Sequence, residues 1–289
     1  MNTDTAEQRL EGFRVWRAPL EQLEEASRHG DLSAVKQILE ANWPGGAVPF
    51  DQASRQSLRY SVLQAIDHDH HHVVAYLLSH RLSFEREYAL RAVQKKSYEL
   101  MEILLTHGWD INDPLGPSIP PALCMVLNDR QMIEWFLSHG ADVNAPCKLG
   151  ITPLTIAVEV ASLDVLHLLF DYGGSVKYGE LLHVAASYRR DPDCTAVLQL
   201  LLDHGAEINH LKYRDNYYCF LRWEVSGVGT PLDDAAASGN EVAVRYLLDQ
   251  GANPRIRNTC GHLPSEVARR NRHITTAQLL ESAMATFGF

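Results

Sequence analysis

The stretch FLSHGADVN, residues 136–144, decides how this chain is read. It recurs with small changes as LLTHGWDIN at 104–112, LLDHGAEIN at 201–209 and LLDQGANP at 247–254. Its glycine falls at 108, 140, 173, 205 and 251, in steps of 32, 33, 32 and 46 residues. A period near 33 residues predicts stacked units, each burying its apolar face against the next. The working surface of such an array is the long face that its units share.

Each part of the unit has a physical reading. ITPLTIA at 151–157, LLHVAAS at 181–187 and TPLDDAAASGN at 230–240 lie upstream of the glycine phrase. Thr152 and Thr230 are placed to cap free N–H groups, and Pro153 and Pro231 sit where a helix start lacks a donor partner anyway. The small side chains of Ala157, Ala185 and Ala235 let two helices approach closely. The Leu201–Leu202 pair buries the second helix. Gly140 and Gly205 are expected at positive φ, ending that helix. The ADVN and AEIN segments then turn outward into hairpin-like loops.

Together these phrases resemble the ankyrin repeat, from about Leu20 to about Ser282. A small residue sixteen positions before the glycine or its equivalent (Asn42, Arg81 and Ala283 at the ends), and twenty before it at Ala185, phases the array at Ala26, Ala65, Ala92, Cys124, Ala157, Ala185, Ala235 and Val267. The predicted fold is therefore an all-α ankyrin-repeat solenoid of about eight helix pairs with projecting hairpin loops. It is read as one continuous array over 20–283, with an N-terminal extension at 1–19 and a tail at 284–289. The outermost units match least well, as expected where one face meets water.

The chain has 289 residues, of which 46% are apolar, ample for a continuous core. No apolar run reaches the ~18 residues of a membrane span, and the polar N-terminus lacks the form of a signal peptide. The odd, scattered cysteines contain no CxxC and are read as reduced thiols. Cytoplasmic or nuclear residence is expected. A net charge of −10 argues against general binding to nucleic acid or anionic membrane.

The array departs from its own period in four places. A Pro/Gly-rich loop, NWPGGAVPFDQASRQS, follows the first pair, and SYRRDPDCTA lengthens the turn inside the sixth. Between Arg81 and Gly108 the step shrinks to 27 residues, so LSFEREYALRAV should enter its helix almost at once. The largest insertion, HLKYRDNYYCFLRWEVSGV at 210–228, carries Tyr213, Tyr217, Tyr218, Phe220 and Trp223 among Lys212, Arg214 and Arg222. Its strand propensity suggests an extended hairpin. Either it is a recognition finger, since Tyr, Trp and Arg dominate binding hot spots, or its aromatics fold back onto neighbouring loops. As a finger, its cations would favour an acidic or aromatic ligand.

The DHDHHH run at 67–72 could suggest a metal. Its phase places it in the turn between two helices, where the histidines should face solvent or cap, so no metal is expected. The histidines of THG, SHG and DHG precede a helix-ending glycine, a structural position. GxSxG, P-loop, GxGxxG and HExxH motifs are all absent, and no cofactor is expected.

In ankyrin arrays, partner contacts commonly come from hairpin tips and from the ends of first helices. The resemblance therefore implies a partner-binding row at Asp67, His68, Gln94, Lys95, Val126, Leu127, Glu159, Val160 and Tyr188, with Arg189 beside it. Tyr217, Tyr218 and Trp223 are added from the insertion. Val126, Leu127 and Val160 are either an apolar contact patch or packing beneath adjacent hairpins. The function this implies is recognition of a protein partner by an adaptor or inhibitor, through a concave face and an aromatic hairpin. The alternative is a small-molecule enzyme of cyclase, isomerase or lyase type, using His29, Asp67, His68, Lys95, Glu159 and Tyr188. The two differ in enclosure: an enzyme needs a concave pocket of roughly 300 Å³ or more with converging polar groups.

Overall fold

The computed structural model describes residues 6–43, 52–80, 84–189 and 192–287. Among them are sixteen α-helices and no strand, so the chain is all-α as expected. It packs into two compact units, Met1–Asp110 and Ile111–Phe289.

The first unit holds α1 (Ala6–His29), α2 (Leu32–Asn42), α3 (Gln52–Asp67), α4 (His71–Ser79), α5 (Arg86–Gln94) and α6 (Tyr98–Thr106). The helices that open each pair stack together, α1 on α3 on α5, and the closing helices stack as α2 on α4 on α6. Leu23, Val62, Ile66, Leu77, Leu100 and Leu104 are buried between the layers. The phase alanines Ala65 and Ala92 are fully buried where opening helices meet, which is why a larger side chain is excluded there. Asp31 and Ser97 cap α2 and α6, accepting from Ala34 N and Leu100 N. The shortened step is visible: α4 ends at Ser79 and α5 begins at Arg86. Arg81 and residues 44–51 of the first predicted loop lie outside the described residues.

The histidine run lies in the α3–α4 turn, but three of its members do more than face solvent. His70 Nε2 donates to the Arg28 carbonyl at 3.0 Å, and His72 Nε2 to the Gly30 carbonyl at 3.1 Å. His71 Nδ1 lies 3.0 Å from Glu99. The run thus ties its turn to the turns before and after it. His70 makes no side-chain capping bond to α4.

The second unit begins with a 3-10 turn, Ala122–Met125, followed by α7 (Arg130–Ser138), α8 (Pro153–Val160), α9 (Leu163–Asp171), α10 (Leu181–Tyr188) and α11 (Cys194–Asp203). Then come α12 (Tyr217–Trp223), α13 (Pro231–Ser238), α14 (Glu241–Asp249), α15 (Pro264–Arg270) and α16 (Ile274–Thr286). Opening helices stack as α8 on α10 on α13 on α15, and closing helices as α11 on α14 on α16. With α12 set aside, the two units contain eight pairs on the predicted phase. The fourth opens with the 3-10 turn rather than an α-helix. Pro120 and Pro121 precede it, and Cys124 N bonds back three residues to the Pro121 carbonyl.

The repeated phrase is explained by its hydrogen bonds. Gly108, Gly140, Gly173, Gly205 and Gly251 all have φ between 85° and 98°. The preceding His107, His139 and His204 each donate from Nδ1 to the carbonyl four residues back, at 2.7, 2.7 and 2.8 Å. The final asparagine links one loop to the next. Asn112 Oδ1 accepts from Asp142 N at 2.7 Å, Asn144 Oδ1 from Ser175 N at 2.9 Å, and Asn209 Oδ1 from Asn253 N at 2.9 Å. Thr152 caps α8 reciprocally with Thr155. Thr230, expected to do the same for α13, does not; its hydroxyl is buried without a hydrogen-bond partner among the described residues.

Candidate functional site

The insertion is a helix, not a hairpin. Asn216 Oδ1 accepts from Cys219 N at 3.1 Å and starts α12 as an N-cap. Cys219 is the buried anchor of that helix, its thiol donating to the Leu149 carbonyl at 3.3 Å. This contact lays α12 against the loop that carries Gly150. The high strand propensity of YYCFLRWEV is overridden by the cap and by this docking.

Both ends of the insertion are fastened. At its start, Lys212 N donates to the Gly229 carbonyl at 3.0 Å and Tyr213 N to Glu180 Oε1 at 2.9 Å. At its end, Val228 N donates to Thr259 Oγ1, and Thr259 N returns a bond to the Val228 carbonyl, both at 2.9 Å. The cations expected to serve a ligand are engaged internally. Lys212 Nζ pairs with Asp234 at 2.7 Å, Arg214 with Glu207 at 3.1 Å, and the Arg222 guanidinium lies 5.4 Å from the Trp223 ring centre. Of the three, Lys212 is the least exposed and is committed to Asp234, while Arg214 and Arg222 remain exposed.

Between this insertion, the loop at 146–151 and helices α8 and α10 lies a cavity of about 610 Å³. Apolar side chains of Leu149, Ile151, Ile156 and Val184 line part of it. Glu159, Tyr178, Glu180, Tyr188, Lys212, Tyr213 and Tyr217 bring polar groups to the remainder. Tyr178, Tyr188 and Tyr217 are 53%, 60% and 75% exposed.

Behind the cavity sits a buried ionisable cluster. Glu180 Oε2 lies 3.3 Å from His183 Nδ1 and 3.7 Å from His210 Nε2. Burial, with the positive charge of Lys212 adding to it, holds His183 well below the usual histidine range, so it is neutral. Burial pushes Glu180 upward, partly offset by the amide of Tyr213. Burial also opposes the charge on Lys212, but the Asp234 carboxylate more than offsets this and keeps it an ammonium. Asp233 is pushed up to about 7 by burial and by neighbouring Asp234. Its Oδ2 accepts from Asn258 at 3.4 Å, while Oδ1 is buried without a partner among the described residues.

Of the predicted row, the cavity collects Glu159, Tyr188 and Tyr217. Val160 and Tyr218 are exposed nearby in sequence, and Trp223 is partly exposed at the end of α12. Val126 and Leu127 are corrected: they lie past the 3-10 turn and face the core, 5% and 4% exposed, so neither is a contact residue. Arg189 is also corrected. It is 2% exposed, and its guanidinium donates to the carbonyls of Val158 and Ala161 at 3.2 and 2.7 Å, closing the C-terminal end of α8. Arg190 and Asp191 lie outside the described residues. Asp67, His68, Gln94 and Lys95 are in the first unit. Asp67 pairs with Arg91, its carbonyl accepts from Lys95 Nζ at 2.9 Å, and Lys95 also pairs with Asp69 at 2.9 Å. His68 donates to the Gln64 carbonyl at 2.9 Å. Gln94 is exposed. Sequence reasoning passed over Tyr178 and Glu180. Their signal was the missing Thr-Pro before α10, where Gly179 and Glu180 stand at φ 77° and 54°.

Comparison with known proteins accounts for the repeat. Residues 122–212 match "Ankyrin repeats (3 copies)", and residues 229–259 match "Ankyrin repeat". These two stretches of the chain are ankyrin repeats. A curated relative, "Probable E3 ubiquitin-protein ligase XBOS34" of Oryza sativa subsp. japonica, is 35% identical over 111 residues. That alignment covers 38% of this ankyrin-repeat chain and 19% of the relative. No helix among the described residues is long and apolar enough to cross a membrane. Groups of three or more His, Cys, Asp or Glu arranged to hold a metal ion do not occur among the described residues.

Proposed function

We propose that this ankyrin-repeat protein recognises a protein partner through the groove between α8, α10 and α12 of its second unit. Ankyrin repeats generally mediate protein–protein interaction. The observation that carries the reading is the cavity's wall. Exposed Tyr178, Tyr188 and Tyr217 stand around an apolar floor, at the point where the insertion departs from the repeat. Tyrosines present large, stiff contact surfaces at low entropic cost. Glu159, Val160 and Tyr188 at the helix ends, with Tyr217, Tyr218 and Trp223 of α12, form the proposed contact surface. Asp67, His68, Gln94 and Lys95 are proposed as a separate contact patch of the first unit.

Affinity capture from source extract, comparing wild type with Y188A/Y217A, tests this. The expected result is a partner retained by wild type and lost by the double variant at unchanged Tm. Equal capture by both proteins would refute the groove.

One observation favours a second reading. At about 610 Å³, the cavity falls within the ~300–1,000 Å³ typical of small-molecule sites, and polar groups converge on it. A metabolite thermal-shift screen on the same two proteins separates the readings. A shift abolished by Y188A/Y217A, without a captured protein, would favour the small molecule.

A further inference from the structure

We propose that the groove accepts a cationic side chain, an arginine or lysine of an extended peptide, between the rings of Tyr178, Tyr188 and Tyr217 and the carboxylate of Glu159. This rests on the groove being a protein-recognition site.

Three observations support a cation. First, three exposed tyrosine rings line one cavity, and ring faces attract ammonium and guanidinium groups. Second, Glu159 is exposed in the same wall and has no hydrogen-bond or ion-pair partner among the described residues. Third, the one ammonium behind the wall, Lys212, is already held by Asp234 at 2.7 Å. An acidic ligand could use Lys212 only by breaking a buried pair and leaving Asp234 uncompensated. A cation entering the groove meets Glu159 and needs no buried pair to be broken. Asp215 on the rim is within 3.6 Å of Arg214 and adds little net charge. Lys177, exposed on the rim, is the lining cation an acidic ligand would meet.

The probe is an oriented peptide library, one pool per amino acid at a fixed central position with randomised flanks, presented to the full chain. Arginine and lysine pools should be enriched, and their binding should weaken as salt is raised. For a peptide taken from those pools, replacing arginine with citrulline should weaken binding on the order of tenfold. E159Q and Y188A should do the same at unchanged Tm. Y172A, on an exposed side chain outside the cavity lining, should bind as wild type. Enrichment of aspartate or glutamate pools that is lost in K177Q would overturn the proposal, as would equal binding of the citrulline peptide. If peptides bind the groove without charge preference, the recognition reading stands and the cation does not. If no pool binds and capture is unaffected by Y188A/Y217A, both fall.

Discussion

At the scale of single residues, backbone conformation and buried charge give the sharpest expectations. A Cβ added at Gly140 or Gly205 would meet nothing within 4 Å, so G140A and G205A should cost only the left-handed backbone, about 1–2 kcal/mol each. At Gly179 the same atom would collide with Thr155 Oγ1. G179A should therefore destabilise more than either, as read by urea denaturation; equal losses would contradict the geometry. Asp233 and His183 set opposite pH limbs. Asp233 titrates at about 7 in the fold and near ~3.9 when unfolded, so the folded state binds its proton more tightly. The resulting stabilisation is complete below pH ~4 and is lost as pH rises through about 7. His183 is held low in the fold, so its contribution is present above the unfolded value of ~6.5 and is lost as pH falls below it. D233N should flatten the alkaline limb and be more stable than wild type at pH 8, on the order of 1–4 kcal/mol. An unchanged profile would show that Asp233 is solvated. The glycines were legible in the sequence because φ is a local property. Val126, Leu127 and Arg189 were misjudged because burial depends on where the preceding turn ends.

At the scale of elements, seven opening helices and eight closing helices were legible from the period, and α12 was not. Its composition favours a strand, and the docking of Cys219 on the Leu149 carbonyl joins residues 70 positions apart. The Asn216 cap was the available local signal. Separate roles for the two faces of α12 follow. Y217A/Y218A/W223A removes exposed rings and should leave stability within about 0.5 kcal/mol, while weakening partner capture at least tenfold. Deleting Tyr217–Trp223 also removes the buried thiol, and its Tm should fall. A deletion that melts like wild type would mean that α12 is not docked. The α3–α4 turn gives a parallel case. H70A/H72A removes two bonds to the carbonyls of Arg28 and Gly30 and should cost about 1–2 kcal/mol, measured by thermal or urea melting. No change would return those histidines to the solvent role that the sequence suggests.

At the scale of the molecule, the two units each have a core. The second contains every residue that lines the cavity. A fragment spanning 111–289 should unfold in one cooperative transition by calorimetry, because repeat stability is summed from nearest-neighbour contacts. It should also retain the peptide and partner binding of the full chain. A fragment that is folded but inactive would move recognition to the first unit and to Asp67, His68, Gln94 and Lys95. The position of the cavity was not legible from the sequence. The predicted row follows one helix position through the array. The cavity arises where the regularity fails, at the missing Thr-Pro before α10 and at the insertion after α11.

The asparagine bonds carry one more consequence. Asn112 reaches Asp142 across 30 residues and Asn144 reaches Ser175 across 31, while Asn209 makes the same bond to Asn253 across 44. The stack therefore does not register how much chain lies between those two partners. A segment of different length or origin can be grafted there by design with this bond kept, provided that the ties to Leu149, Glu180 and Thr259 are met anew.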